Sequence, residues 1–278
     1  MNKKILSIIA IFTLILVIPT ANAQLTIGSE VKQELIEVKI NDKGEVDVKH
    51  IVKASNMPGT LHLFSGTISN LVVTNEMGEE KQSGIINDGL GNQSIFVLPS
   101  KENSIIKYNL ENIILKNNLF ITQISYAEKF SIVFDDQIKM IFVNNNAIFL
   151  EDKKGISVNG GGEIKIEFYS DIPKMIKEVQ WEENKFNVEI ITDSEIENFN
   201  FDQTSKSISF EVNEENKFVT IIMSEELLGG PYVILLDTEK IQYTKSEIDG
   251  YVTLSMKPEL TGEITIIGTT VIPEFSMF

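Results

Sequence analysis

The chain has 278 residues, no cysteine, and 24 basic against 40 acidic side chains, for a formal net charge of −16. That length suits one large or two ordinary domains and excludes a single small module. The lack of Cys removes disulfides, thiolate metal sites and thiol nucleophiles, and only His50 and His62 are left for imidazole chemistry. Every basic residue is a lysine, so the bidentate fork that reads phosphate and guanine is missing from a chain that already repels polyanions, and nucleic acid is not an expected partner.

The chain opens on Met1-Asn2-Lys3-Lys4, continues through an apolar run from Ile5 to Pro19, and reaches Ala21-Asn22-Ala23 before Gln24. A basic start, a short apolar stretch and an A-x-A site predict a secretory signal peptide over 1–23. The apolar run is shorter than the ~20 residues that span a bilayer, which argues against an anchor. Cleavage removes Lys3 and Lys4 and no acid, so the mature chain is more acidic still. The expected location is extracellular or at the cell surface. Without disulfides, exported domains of this size must rest on hydrophobic cores.

From Leu35 onward Ile, Val and Phe recur mostly at period two, with turn residues about every 8 to 12 positions. The pattern predicts an all-β chain with no long amphipathic helix. Glu34–Ile40 and Val46–Val52 flank Asn41-Asp42-Lys43-Gly44, a hairpin signal in which Gly44 takes positive φ. Asn56-Met57-Pro58-Gly59, Asn75-Glu76-Met77-Gly78, Asn87-Asp88-Gly89 and Asn159-Gly160-Gly161-Gly162 are further breaks. The triple glycine is followed by strand-like Glu163-Ile164-Lys165-Ile166, which reads as a turn and not as a phosphate loop.

After a strand over Glu163–Tyr169 the chain meets Pro173, which cannot donate to a ladder. The expected division is therefore an N-terminal β-sandwich over 24–171 and a C-terminal one over 172–272. The second part reads as strands at Lys177–Trp181, Phe186–Thr192, Ser207–Val212, Phe218–Met223, Tyr232–Leu236, Tyr251–Met256 and Glu263–Val271. Seven short strands in about 100 residues predict an immunoglobulin-like antiparallel sandwich without its disulfide. Ser224–Gly229 alone looks helical, a Ser-capped single turn closed by Gly229.

The second part also carries Lys206-Ser207-Ile208-Ser209-Phe210, Thr220-Ile221-Ile222, Leu227-Leu228-Gly229-Gly230-Pro231-Tyr232, Ile267-Gly268-Thr269-Thr270 and Val271-Ile272-Pro273-Glu274-Phe275. In that order they resemble the C-terminal domain of archaeal cell-surface proteins, common in Thaumarchaeota and methanogens, that end in a PEF-type sorting signal. The part from Leu35 to Ser170 looks like the N-terminal part of thaumarchaeal surface proteins, without a single diagnostic motif. The resemblance implies export and a surface setting, and it carries no catalytic residues. In that family Pro-Glu-Phe precedes a membrane helix and a basic tail. Here 273–278 is a PEF-like tail in which only Ser276-Met277-Phe278 follow Phe275, so membrane association is expected to be indirect or through an anchor missing from the chain.

Candidate chemistry is sparse. His50, Met57 and His62 surround a Pro-Gly turn, and two imidazoles with a thioether suit copper. Pairing strands so that Ser55 faces Thr60 puts His50 opposite Ser65 and His62 opposite Lys53, on opposite sheet faces, which favours ordinary strand histidines. Calcium is the other candidate, at Glu182-Glu183 beside the expected hinge, Asp193-Ser194-Glu195, Asn213-Glu214-Glu215 or Asp135-Asp136, though none has the spacing of a calcium loop and solvated turn charges explain them as well. Forty acids guarantee some pair at a glycosidase separation, so paired carboxylates are not evidence for a hydrolase. Trp181, Tyr126, Tyr169 and Tyr232 are a carbohydrate platform or, more simply, core residues. Asn92-Gln93-Ser94 is the one N-x-S/T sequon and makes Asn92 a glycan acceptor on an exported chain.

The expectation is thus a non-enzymatic surface or envelope protein, a structural, adhesive or accessory interaction module with no cofactor. Its partners are an envelope protein, a glycan or a second copy of itself. The alternative is an extracytoplasmic binder of calcium, copper, a small ligand or a glycan.

Overall fold

The computed structural model describes residues 29–87, 92–150, 154–181 and 183–269. The signal peptide expected over 1–23, the tail over 273–278 and Glu182 lie outside them. The described residues form strands and turns with no helix, so the protein is all-β. No helix among them is long and apolar enough to cross a membrane.

Residues up to Phe168 build three sheets. A six-stranded sheet runs in the order Gly155–Val158, Phe130–Phe134, Gln33–Ile40, Val46–Val52, Ser104–Glu111, Thr67–Thr74. A four-stranded sheet runs Ser29–Glu30, Gly59–His62, Gln93–Val97, Ile85–Asn87, and a five-stranded one Asn146–Phe149, Met140–Val143, Gly162–Phe168, Leu119–Tyr126, Ile113–Lys116. From Lys174 onward there are two more five-stranded sheets. One is Lys174–Trp181, Asn184–Thr192, Val219–Ser224, Tyr251–Met256, Tyr243–Ile248; the other is Ile196–Asp202, Ser207–Val212, Gly262–Ile267, Val233–Leu236, Glu239–Lys240. Among the described residues no sheet mixes strands from before Tyr169 with strands after Pro173.

Alternation explains the cores. Along Val46–Val52 every second residue, Val46, Val48, His50 and Val52, is buried, and along Ser104–Glu111 the same holds for Ser104, Ile106, Tyr108 and Leu110. These side chains meet Leu61 and Ile95 of the four-stranded sheet and Ile124, Ile166 and Phe168 of the five-stranded one in a single apolar cluster. After Pro173, Val188, Ile190, Ile221 and Leu254 of one sheet face Ile208, Phe210, Ile234 and Ile266 of the other in a second cluster, which is how a sandwich is filled.

The hairpin at Asn41–Gly44 forms as read: Ile40 pairs with Val46, Gly44 has φ +77°, and Asn41 Oδ1 accepts from the amides of Lys43 (3.0 Å) and Glu45 (2.8 Å). Asn75 repeats the arrangement with Met77 (3.1 Å) and Glu79 (2.8 Å).

Three expectations are corrected. Val46–Val52 and Gly59–His62 do not form a hairpin across Asn56–Gly59, because the chain crosses there from the six-stranded to the four-stranded sheet. The sheets are not purely antiparallel: Ser131–Phe134 runs parallel to Glu37–Ile40, and Ser29–Glu30 parallel to Gly59–Thr60. Ser224–Gly229 stays a turn, in which Ser224 O accepts from Leu227 N (3.1 Å) and Leu228 N (3.3 Å); Pro231, lacking an N–H, follows too closely for a helix to continue.

Candidate functional site

The five-stranded sheet before Phe168 uses both of its faces. Phe120 and Ile124 point into the first cluster, so Ile121 between them points outward, and register places Glu167 beside Ile121 and beside Phe142 on that outer face. Leu119, Met140, Phe142 and Tyr169 join Ile191 and Phe218 from beyond Pro173 in a third apolar cluster that spans the two parts of the chain. The rings of Phe142 and Phe218 stack with centroids 3.6 Å apart and planes 8° from parallel.

Charges frame this joint. Lys257 Nζ donates to Glu167 Oε1 at 2.7 Å and stands 4.4 Å from the Phe218 centroid. Lys165 Nζ lies 3.0 Å from Glu167 Oε2 as an ion pair without hydrogen-bond geometry. Lys217, also buried, donates to Asn117 O across the joint (3.1 Å) and to Asp193, with Glu214 3.7 Å away. Burial, and after it the nearby Asp193 carboxylate, holds the Tyr169 hydroxyl protonated. Each of these buried charges is compensated, and bending the joint would expose the apolar cluster, part Lys257 from Glu167 and part Lys217 from the Asn117 carbonyl, while Lys217 keeps Asp193 and Glu214 on its own side.

A second buried constellation surrounds His50. Phe64 N–H donates to the Tyr108 hydroxyl (3.1 Å), Tyr108 O–H lies 3.1 Å from His50 Nε2, and His50 Nδ1 lies 2.6 Å from Gln33 Oε1. Gln33 Nε2 donates to Tyr126 OH (3.0 Å) and Glu128 Oε1 (2.7 Å), and Tyr126 O–H donates to His62 O (2.8 Å). Only one proton arrangement satisfies this chain: Tyr108 donates to Nε2, so the neutral imidazole carries its proton on Nδ1. Burial pushes the His50 pKa down to about 4 and the Tyr126 pKa up to about 12. The network ties the six-stranded sheet to the loop at Leu63–Phe64.

The residues singled out from sequence lie apart. His50 is in the core, whereas His62 is exposed in the four-stranded sheet with Nε2 3.6 Å from Glu30. Among the described residues no group of three or more His, Asp or Glu is arranged to hold a metal. The acids engage lysines instead: Asp193 and Glu214 hold Lys217, Asp135 lies 3.3 Å from Lys39, and Asp136 3.1 Å from Lys154. Glu183, expected beside the hinge, instead follows the far end of the Lys174–Trp181 strand, where Trp181 pairs with Asn184 in a hairpin, about 23 Å along that strand from Lys174. Trp181, Tyr126, Tyr169 and Tyr232 are all buried, in separate places, and form no platform. Asn92 is exposed.

Phe142, Phe218, Glu167, Lys217 and Lys257 were not read as site residues. The available signal was Lys217-Phe218, a lysine and an aromatic at a strand start behind the acids Glu214 and Glu215. No family model matches the chain, and no curated protein or solved structure is similar to it at a significant level.

Proposed function

We propose that this chain is a non-enzymatic exported protein of the cell surface or envelope, built as a signal peptide over 1–23, an N-terminal β-sandwich domain over 24–171 and a C-terminal immunoglobulin-like β-sandwich domain over 172–272. It serves as a structural, adhesive or accessory interaction module. The observation that carries this reading is the joint, where stacked Phe142 and Phe218 are flanked by the buried charges of Glu167 and Lys217. A stiff coupling holds two modules at a set separation, as a stalk or spacer requires, and performs no chemistry itself. The basic start and A-x-A site, the acidic surface and the resemblance to archaeal surface proteins support export. The exposure of Asn92 suits a glycan acceptor. The partners on this reading are an envelope protein, a glycan or a second copy.

Purified protein is tested by sedimentation and by binding to envelope fractions and glycan arrays. Self-association or envelope binding is expected. A strictly monomeric protein that binds neither overturns the reading.

A further inference from the structure

A second face of the first part carries a feature that the stalk reading does not use. Where Ser29–Glu30 lies parallel to Gly59–Thr60, a cleft of about 370 Å³ opens between Val31, Val52, Pro58, Val97 and the loop at Ser100. Such a volume is of small-ligand size. Two of the protein's exposed large apolar side chains, Met57 (71% exposed) and Leu98 (50%), belong to its lining.

The polar side of the cleft is cationic although the protein is strongly acidic. Lys32 and Lys53 line it, and Lys81 stands behind it, its Nζ donating to the hydroxyls of Ser100 (2.9 Å) and Ser104 (3.3 Å), both lining residues. Among the described residues none of these three lysines makes an ion pair. Neutral hydroxyls orient the Lys81 ammonium and leave its charge uncompensated. The single carboxylate in the lining, Glu30, is 3.6 Å from His62 Nε2.

We infer that this cleft binds a carboxylate carried on an aliphatic chain. The head group accepts from Lys53 and the Ser100 and Ser104 hydroxyls, with the Lys81 charge behind those hydroxyls, and the chain lies against Val97, Leu98 and Met57. A phosphate would favour Arg forks or a helix N-terminus, and the protein has no Arg and, among the described residues, no helix. An extended peptide added as a strand is disfavoured, because the sheet edge beside the cleft, Ser29–Glu30, is only two residues long.

The test is calorimetric titration of the purified protein with octanoate, with octyltrimethylammonium as the match of opposite charge. Saturable octanoate binding in the micromolar to millimolar range is expected, with no saturable binding of the cation. Lys81→Gln should weaken octanoate about tenfold, the loss of the positive charge behind the Ser100 and Ser104 hydroxyls. Lys81 also ties Ser100 to Ser104, so Lys53→Gln and Leu98→Glu, both at exposed positions, carry the test if Lys81→Gln fails to fold. No saturable heat at millimolar octanoate, equal binding of anion and cation, or unaltered affinity in the folded variants overturns the inference. Failure here leaves the surface-module reading standing, since the cleft and the joint share no residue.

Discussion

Lys257 reaches across the joint to Glu167, its Nζ 2.7 Å from a carboxylate that is fully buried, while the same ammonium stands 4.4 Å from the ring of Phe218. One side chain thus neutralises a charge on the first part and covers an aromatic on the second. The two parts are coupled by charge and by apolar burial together.

Lys257→Met should therefore destabilise by roughly 2–4 kcal/mol, because it leaves the buried Glu167 carboxylate to Lys165 alone. Adding Glu167→Gln should recover part of that loss, giving a coupling well above 1 kcal/mol in a double-mutant cycle. Urea unfolding measures both. Additive losses would mean that the pair does not hold the joint.

Phe218→Ala empties the space stacked on Phe142, and the expected cost is about 3–5 kcal/mol. The loss should fall on the coupling between the parts, so that one cooperative unfolding transition becomes two. Small-angle scattering should then report a larger spread of overall dimensions. A variant that unfolds in one transition with unchanged scattering contradicts the coupling.

Acid acts through His50. Its folded-state pKa, about 4, lies below the ordinary 6.5, so the unfolded chain binds the extra proton between those values. The stability from the neutral ring is complete above pH 6.5 and drains away as pH falls toward 4, by roughly 3 kcal/mol. The measurement is the slope of unfolding free energy against pH for wild type and His50→Gln. Wild type should lose more over that window, and equal slopes would show that the ring is not held neutral.

Three adjacent glycines make a graded prediction. A Cβ on Gly160 would lie 2.2 Å from Ala127 O, and Gly161 has φ +87° in open space. Gly162 has neither constraint. Gly160→Ala should cost the most, Gly161→Ala about 1 kcal/mol for the left-handed backbone, and Gly162→Ala least. Thermal melts of the three variants check the order.

The strand pattern was legible because alternation is local: Ser207–Val212 and Tyr251–Met256 were read to the residue. Ile196–Asp202 and Tyr243–Ile248 were missed because they are edge strands with few buried positions, which carry little apolar period. Sheet membership was not legible either, since nothing local says that the chain changes layer between Val52 and Gly59. The Asn117-Asn118 and Asn144-Asn145 pairs, all at positive φ in two-residue hairpins, were readable as turns and passed over. The His50 network draws on residues 33, 50, 108, 126 and 128, and the joint on residues as far apart as 142 and 218. Such sites appear only when distant strands meet.

The account turns on export to the surface. Its most direct test is fractionation of the producing cells with an antibody to the folded part, followed by the intact mass of the recovered protein. The account predicts a chain beginning at Gln24, held in the envelope fraction. A chain of full mass in the cytosol, or a processed chain recovered free in the medium, would contradict it.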